Sequence, residues 1–444
     1  MSLRIVGLMI VLGLIVSCGG KNGTDQNGPR LSIISPHSKD VIDNFDRAFK
    51  QYYKQRTGQE ITMEWIGQGG TSDDLKFIRS EFSNKPDGIG IDMFWGGGLA
   101  PHLDLKEQGL LQPLSIDTAI LNGIPAELSG IPMYDPEFYW YGGCLSAFGI
   151  IYNKMVLQQL AMSEPADWSD LAKKEYFDWL SMPDVRHSGS IEMMFQMILQ
   201  AYGWDQGWEI LTLICANSKR FTLSSIDVIK DITTGDAACA LSVDYYAWKQ
   251  IETLGKDKIG YSLPTVHAVV NPDCISILKG LPHPDESRIF LEFMLSEQGQ
   301  ALFYLPHDHP QGPPISSLYR LPILPKAYRD FQAQSLIPIN PFDNYQMVRY
   351  DAVRSQMLWD IFKDLCGVLF IDNYNDLHRC WSKIKDSDDP ALIRDLSVPP
   401  IDSVTMDNYA AQWRKDELFR NQKLNEWTKF AVEKYSRLSK KGRP

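Results

Sequence analysis

The 444-residue sequence predicts an α/β fold in which parallel-leaning strands alternate with helices that cover both faces of a sheet. Three observations carry this. Residues 60–65 alternate polar and apolar, the period of a half-buried strand, while Leu75, Ile78 and Phe82 recur at helical spacing just after them. Between them, Gln68-Gly69-Gly70-Thr71-Ser72 reads as a tight strand-to-helix turn. The same order recurs along the first hundred residues, the pattern of parallel sheets. Composition agrees: 44% hydrophobic and 22% charged residues are ordinary for a globular protein, and the length allows two or three domains. The net charge is −11, and the only basic run is the tail 437–444, which argues against a nucleic-acid partner.

Taken in order, residues 31–34 read as a first strand, and residues 35–38 as a turn with Ser38 a helix cap. A helix follows, with Val41, Phe45, Ala48, Phe49 and Tyr52 on one face. The second strand spans 60–66, and its helix runs from the Gly-Gly-Thr-Ser turn to Asn84, with Thr71 or Ser72 as cap. Residues 88–95 read as a buried strand ending in Gly96-Gly97-Gly98. Ligands of open parallel sheets bind beyond the carboxyl ends of the strands. Three loops there, 35–38, 67–72 and 95–98, are rich in Ser, Thr, Gly and His. Each such turn offers backbone N–H groups and a helix dipole to an anion, although a Gly-Gly turn and a Ser cap also need no ligand.

Beyond an irregular region at 106–140, residues 147–154 read as a strand and 165–171 as a turn with a short helix. A second hydroxyl-rich turn, His187-Ser188-Gly189-Ser190, precedes a helix to Tyr202, and another helix runs over 207–216. Turn-forming residues at 221–225 and 235–236 punctuate the chain before the next strand. That strand, at 240–243, delivers Asp244-Tyr245-Tyr246. Extended segments begin at Tyr261 and Asp273, and residues 289–295 are helical. Helical periods at 353–365, 377–384 and 413–438 form a C-terminal extension, 340–444, packed on the body. Six cysteines beyond Cys18 lack metal-ligand spacing and sit in apolar runs, as small buried hydrophobes do.

The N-terminus carries an address. Arg4, an apolar run at 5–16 and Ile15-Val16-Ser17-Cys18 resemble the signal and lipobox of bacterial lipoproteins. The resemblance implies a signal peptide at 1–17, lipid on Cys18, and a polar, Gly-rich tether over 18–30. The membrane is then touched through the lipid anchor alone, on the periplasmic or outer face.

The order of elements is similar to a known family. Asp92-Met-Phe-Trp-Gly-Gly-Gly98, Ile150-Ile-Tyr-Asn-Lys154, Pro165-Ala-Asp-Trp-Ser-Asp-Leu171, Gly203-Trp, Gly207-Trp and residues 290–300 resemble the extracellular solute-binding proteins of bacterial ABC importers. The branch binds ferric iron, thiamine, polyamines, phosphonates and sugar phosphates. The resemblance covers roughly 30–320. It implies a two-lobed, type II periplasmic-binding-protein-like fold: two mixed sheets flanked by helices, with a hinge and an interlobe cleft. Lobe 1 would hold 31–138 and 270–320, lobe 2 would hold 143–268, and 139–147 and 265–273 would be hinge strands. It further implies a monomer without cofactor that delivers a small solute or ion to permease and ATPase subunits.

The ligand-binding residues expected on this basis are His37, Gln68, Gly70, Thr71, Ser72, Trp95 and Gly97 on one wall. His187, Ser188, Ser190, Ser225, Asp244 and Tyr245 face them. Two helix-start turns across a cleft suit a phosphorylated or carboxylated organic anion. The alternative is ferric iron on His37, Tyr245 and Tyr246, for which no acid is evident near His37. Asp92, Asp244 and the aromatics could instead suit a polyamine. An enzyme is not expected: there is no Gly-x-Ser-x-Gly and no His-Glu-x-x-His, and His307-Asp308-His309 reads as a solvated loop rather than half a metal site. A receptor-coupled sensor would share the fold.

Overall fold

The computed structural model describes residues 28–223, 225–264, 266–343 and 348–441. Residues 1–27, which hold the expected signal peptide and Cys18, lie outside these, as does the side chain of Ser225.

Strand β1 (Arg30–Ile34) leads through α1 (Lys39–Thr57) to β2 (Thr62–Ile66), α2 (Thr71–Asn84) and β3 (Met93–Trp95). Helices α3 (Ala100–Glu107) and α4 (Thr118–Leu121) follow, then a small hairpin of β4 (Glu127–Leu128) and β5 (Ile131–Pro132). The long β6 (Trp140–Asn153) leads to α5 (Lys154–Gln159), β7 (Leu180–Pro183), α6 (Gly189–Tyr202), α7 (Trp204–Asn217) and β8 (Ser218–Thr222). Helix α8 (Ser225–Thr234), β9 (Cys239–Val243), α9 (Asp244–Leu254), β10 (Ile259–Ser262) and β11 (Val270–Ile277) complete the sheet. The rest is helical: α10 (Pro284–Leu295), α11 (Glu297–Tyr304), α12 (Pro325–Phe331), α13 (Ala352–Cys366), α14 (Tyr374–Ile384), α15 (Pro390–Ser397), α16 (Ser403–Trp413) and α17 (Glu417–Ser439). Residues 413–438 are therefore not one helix. The chain breaks after Trp413, and Asp416 caps α17 by accepting from the Phe419 N–H.

The strands run in the order β2-β1-β3-β11-β6-β9-β7-β8, with β10 also on β6. β1 pairs in parallel with β2 and β3, and β7 with β8 and β9. The β11 and β6 pairings are antiparallel. This mixed sheet has two halves that share β6. Residues up to Ala147 pair with β11, and from Phe148 onward with β9 and β10. At about 3.3 Å per residue β6 spans roughly 46 Å, enough to run through both halves. Every one of its residues is buried, consistent with its unbroken apolar character.

One strand is shorter than its sequence suggests. Of residues 88–95 only 93–95 enter the ladder. Gly90 has φ 76°, which turns the chain out of the strand. The Asp92 carboxylate occupies the next position, accepting from the Ser32 N–H at 2.8 Å and the His283 N–H at 2.8 Å. The six described cysteines are free and buried, as their apolar settings predict.

Helix α13 packs on α6, and α14 and α15 on α7, while α16 and α17 pack on these three; α13 also touches α3 of the other half. On α6, Glu192 is fully buried beneath this layer, and its Oε2 has no hydrogen-bond partner. Burial raises its carboxyl well above the usual range. A raised acid holds its proton in the folded chain after the unfolded chain has released it. Stability is therefore greatest below the ordinary glutamate pKa and falls as pH rises above it. Glu192→Gln is expected to add about 1–3 kcal/mol at pH 8 by removing the cost of keeping a buried acid uncharged there. Urea unfolding at pH 5 and pH 8 checks this: the variant should gain at pH 8 and differ little at pH 5.

Candidate functional site

The three polar loops at the strand ends meet. The Ser35 N–H donates to Ile66 O at 2.8 Å. A Cβ on Gly96 would stand 2.9 Å from His37 Cε1, and one on Gly97 would stand 2.5 Å from Thr71 Cγ2. Gly97, at φ 86°, thus lets loops 67–72 and 95–98 touch.

At their meeting point lies a buried polar centre that joins the two halves. His37 Nε2 is 2.8 Å from Asp273 Oδ2, and its Nδ1 is 2.9 Å from Ser35 Oγ. Arg320 Nη1 donates to the same Asp273 oxygen at 2.9 Å. The Gly98 N–H donates to Asp273 Oδ1 at 3.2 Å. Asp273 sits where the β11–β6 register shifts, a bulge that re-aims a side chain out of the ladder. From the other half, the Tyr245 ring at the start of α9 lies 4.1 Å from the Arg320 guanidinium carbon. Tyr246 packs 4.3 Å from Tyr245. On the surface nearby, Lys249 of α9 pairs with Asp40 of α1 at 2.8 Å.

The electrostatics follow from burial. Burial raises the Asp273 carboxyl, but His37, Arg320 and the Gly98 N–H outweigh it and hold it well below the usual range. Burial lowers His37 more than Asp273 raises it. The imidazole is therefore neutral, its Nε2–H donating to Asp273 and its Nδ1 accepting from the Ser35 hydroxyl. Burial pushes Asp244 up to about 7 and holds the Tyr245 phenol protonated. Four buried polar atoms of this region have no protein partner: Arg320 Nε, Asp244 Oδ2, Trp95 Nε1 and Asn271 Oδ1. Each such atom costs about 1–3 kcal/mol unless something else satisfies it. Trp95 lies in the core; the other three offer one donor, one acceptor and a carboxyl able to do either.

The sequence-predicted residues divide into three groups. His37, Asp244, Tyr245 and Tyr246 gather at this centre. Gly70, Thr71 and Gly97 stand beside it, but neither Thr71 nor Ser72 caps α2; the cap is Gly70 and no side chain caps it. The Gln68 N–H is taken by the chain's own Asp74 carboxylate at 2.8 Å. Asp73 and Asp74 also supply the negative charge that this helix start favours, so the turn does not present a bare anion seat. Trp95 is fully buried among His37, Phe45, Trp65 and Phe290, and serves the core instead of a cleft wall.

The turn at 187–190 lies elsewhere. His187 and Gly189 are exposed, Ser188 caps α6 with its hydroxyl 3.2 Å from that of Ser190, and a Cβ on Gly189 would stand 3.3 Å from the Trp359 ring of α13. No hydrogen bond among the described residues links this turn to loop 67–72. Sequence reasoning missed Asp273 and Arg320. The available signal was a lone charge within an apolar run: Arg320 between Leu318, Tyr319 and Leu321, and Asp273 between Val270 and Ile275. His307 is exposed, and no three-residue His, Cys, Asp or Glu group that could hold a metal occurs among the described residues.

The model of the bacterial extracellular solute-binding protein family matches residues 88–311. The chain is 25% identical over 288 residues to the phosphoglycerate transport regulatory protein PgtC of Salmonella typhimurium, covering 64% of this chain and 68% of that protein. It is 23% identical over 312 residues to an uncharacterized protein of Haemophilus influenzae, covering 69% and 83%. Among solved structures, the periplasmic binding protein AfuA of Actinobacillus pleuropneumoniae with fructose-6-phosphate bound superposes with a TM-score of 0.59 at 18% identity, covering 80% of this chain and 97% of that one. Iron-bound HitA of Pseudomonas aeruginosa gives 0.57 at 17% identity, covering 76% and 98%. These likenesses show the fold, that of type II periplasmic binding proteins. The family and its structural neighbours are binding proteins, not enzymes.

Proposed function

Since this chain belongs to the bacterial extracellular solute-binding proteins, we propose that it captures a phosphorylated or carboxylated organic anion between two lobes and delivers it to an ABC-type permease and its ATPase. The observation that carries this reading is Arg320. Its guanidinium is only 5% exposed, and after it pairs with Asp273 its Nε–H still has no partner, a charged donor that an anionic ligand oxygen would satisfy. In this reading the lobes are 31–138 with 270–320, and 143–268. β6 and β11 carry the hinge, and residues 340–444 form a helical extension on the second lobe. Arg320 and Asp273 on one side and Tyr245 and Asp244 on the other then grip the ligand as the lobes close. The Lys249–Asp40 pair forms across the closed edge. Thr71, Ser72 and Gly97 would border this seat, whereas His187, Ser188 and Ser190 would not reach it. Two relatives point the same way, one named for phosphoglycerate transport and one solved with a sugar phosphate.

Iron is the second reading, because His37, Tyr245 and Tyr246 converge and Asp273 supplies the acid that sequence alone did not place. Against it, a ferric ion there would sit beside the Arg320 charge, and burial disfavours the phenolate it needs. A polyamine fits less well: Asp92 is committed to Ser32 and His283, and Asp244 is not firmly ionised. The Salmonella relative's name also allows a regulatory, sensor role with the same ligand. A signal peptide at 1–17 would direct export and be removed before Cys18, and a lipid on Cys18 would hold the protein at the membrane face.

Thermal unfolding against phosphoglycerate, sugar phosphates, spermidine and ferric citrate tests the ligand class. A phosphorylated acid at a hundred times its Kd should add about 2.7 kcal/mol. Stabilisation by ferric citrate alone, with a tyrosinate–iron absorption band lost in Tyr245→Phe, would favour the iron reading instead.

A further inference from the structure

Away from the polar centre, a cavity of about 930 Å³ opens between the start of α7, the loop after α15, and helices α16 and α17. Its size is that of a small-molecule site. Trp204, Trp208, Tyr409 and Trp427 give it aromatic walls. Two of the residues that line it each carry a buried polar atom with no partner: Trp208 Nε1, on a side chain 1% exposed, and Ser397 Oγ, on one 5% exposed. The C-terminal end of α15, which bears Ser397, is held by buried Lys434, whose Nζ donates to Leu396 O at 2.8 Å and Val398 O at 3.1 Å. Asp205, Glu209 and Arg394 also line it and form no ion pair among the described residues. We propose that this cavity is a second binding site, distinct from the interlobe centre, and that it takes a saccharide ring.

The chemistry selects that class. Trp208 N–H can only donate, so the ligand must carry an acceptor; the carboxylates can only accept, so it must also carry donors. Hydroxyl groups do both. The aromatic walls require an apolar face beside those groups, which the C–H face of a pyranose provides. A quaternary ammonium would suit the aromatics and acids but leaves the Trp208 and Ser397 atoms unpaired.

The test uses the full chain with maltose and N,N′-diacetylchitobiose as probes, read by saturation-transfer NMR and tryptophan fluorescence. Saturable binding is expected for at least one sugar, weakened about tenfold in Trp204→Ala and about threefold in Ser397→Ala. Ser397→Ala removes one oxygen and keeps the proposal testable if Trp204→Ala fails to fold. Saturating phosphoglycerate should not displace the sugar. The proposal is overturned by no saturable binding of either sugar, by affinity unchanged in both variants, or by displacement with phosphoglycerate.

Discussion

Arg320→Met is expected to weaken binding of the phospho-acid probe by at least about a hundredfold, a loss near 3 kcal/mol. The methionine keeps much of the volume and removes the charge and the N–H donors. Arg320→Lys should fall between, because an ammonium restores the charge but not the planar fork or the flat stacking on Tyr245. Stability should also drop in Arg320→Met, since Asp273 then keeps only His37 and the Gly98 N–H. A stability effect alone would mimic lost binding. The double variant Arg320→Met with Asp273→Asn separates the two: it should be more stable than either single change, because no buried charge is left unpaired, yet it should still not bind. Calorimetric titration and urea unfolding on the three proteins read both quantities.

Asp273→Asn should destabilise the fold by about 3–5 kcal/mol, the usual cost of stranding one member of a buried ion pair. Asn leaves the Arg320 charge without a counterion in a site only 5% exposed. It also presents His37 with a weaker acceptor. The pH dependence gives a second signature. The folded Asp273 carboxyl titrates below its unfolded value, so its contribution is complete above the ordinary aspartate pKa and is lost as pH falls beneath it. The wild type should therefore lose stability over that acid window, and Asp273→Asn should lack this part of the loss. Urea midpoints from pH 5 down to pH 2 measure it.

Local chemistry was legible in the sequence and long-range chemistry was not. The alternation from β1 to α2 follows from residue periods alone. The loops at 35–38, 67–72 and 95–98 announce themselves through Ser, Gly and His, and parallel strand ends bring them together. Asp273 and Arg320 carry no such sign: they lie 236 and 283 residues beyond His37, and their pairing exists only once β11 reaches the sheet. Trp95 misled because a strand-end aromatic reads alike whether it faces a ligand or the core. Residues 68–72 misled because Asp73 and Asp74, just inside the helix, already answer its dipole. The turn at 187–190 has the right chemistry, but it stands beside the extension's Trp359 with no hydrogen bond to loop 67–72 among the described residues, and nothing near residue 187 predicts a neighbour at residue 359.

The most direct test of anion capture at Arg320 is an experimental structure of the protein crystallised with phosphoglycerate. An anionic oxygen is expected within about 3 Å of the Arg320 guanidinium, between Asp273 and Tyr245. A metal ion held by His37 and the tyrosines with no organic anion on Arg320, or the ligand seated anywhere outside this centre, would contradict it.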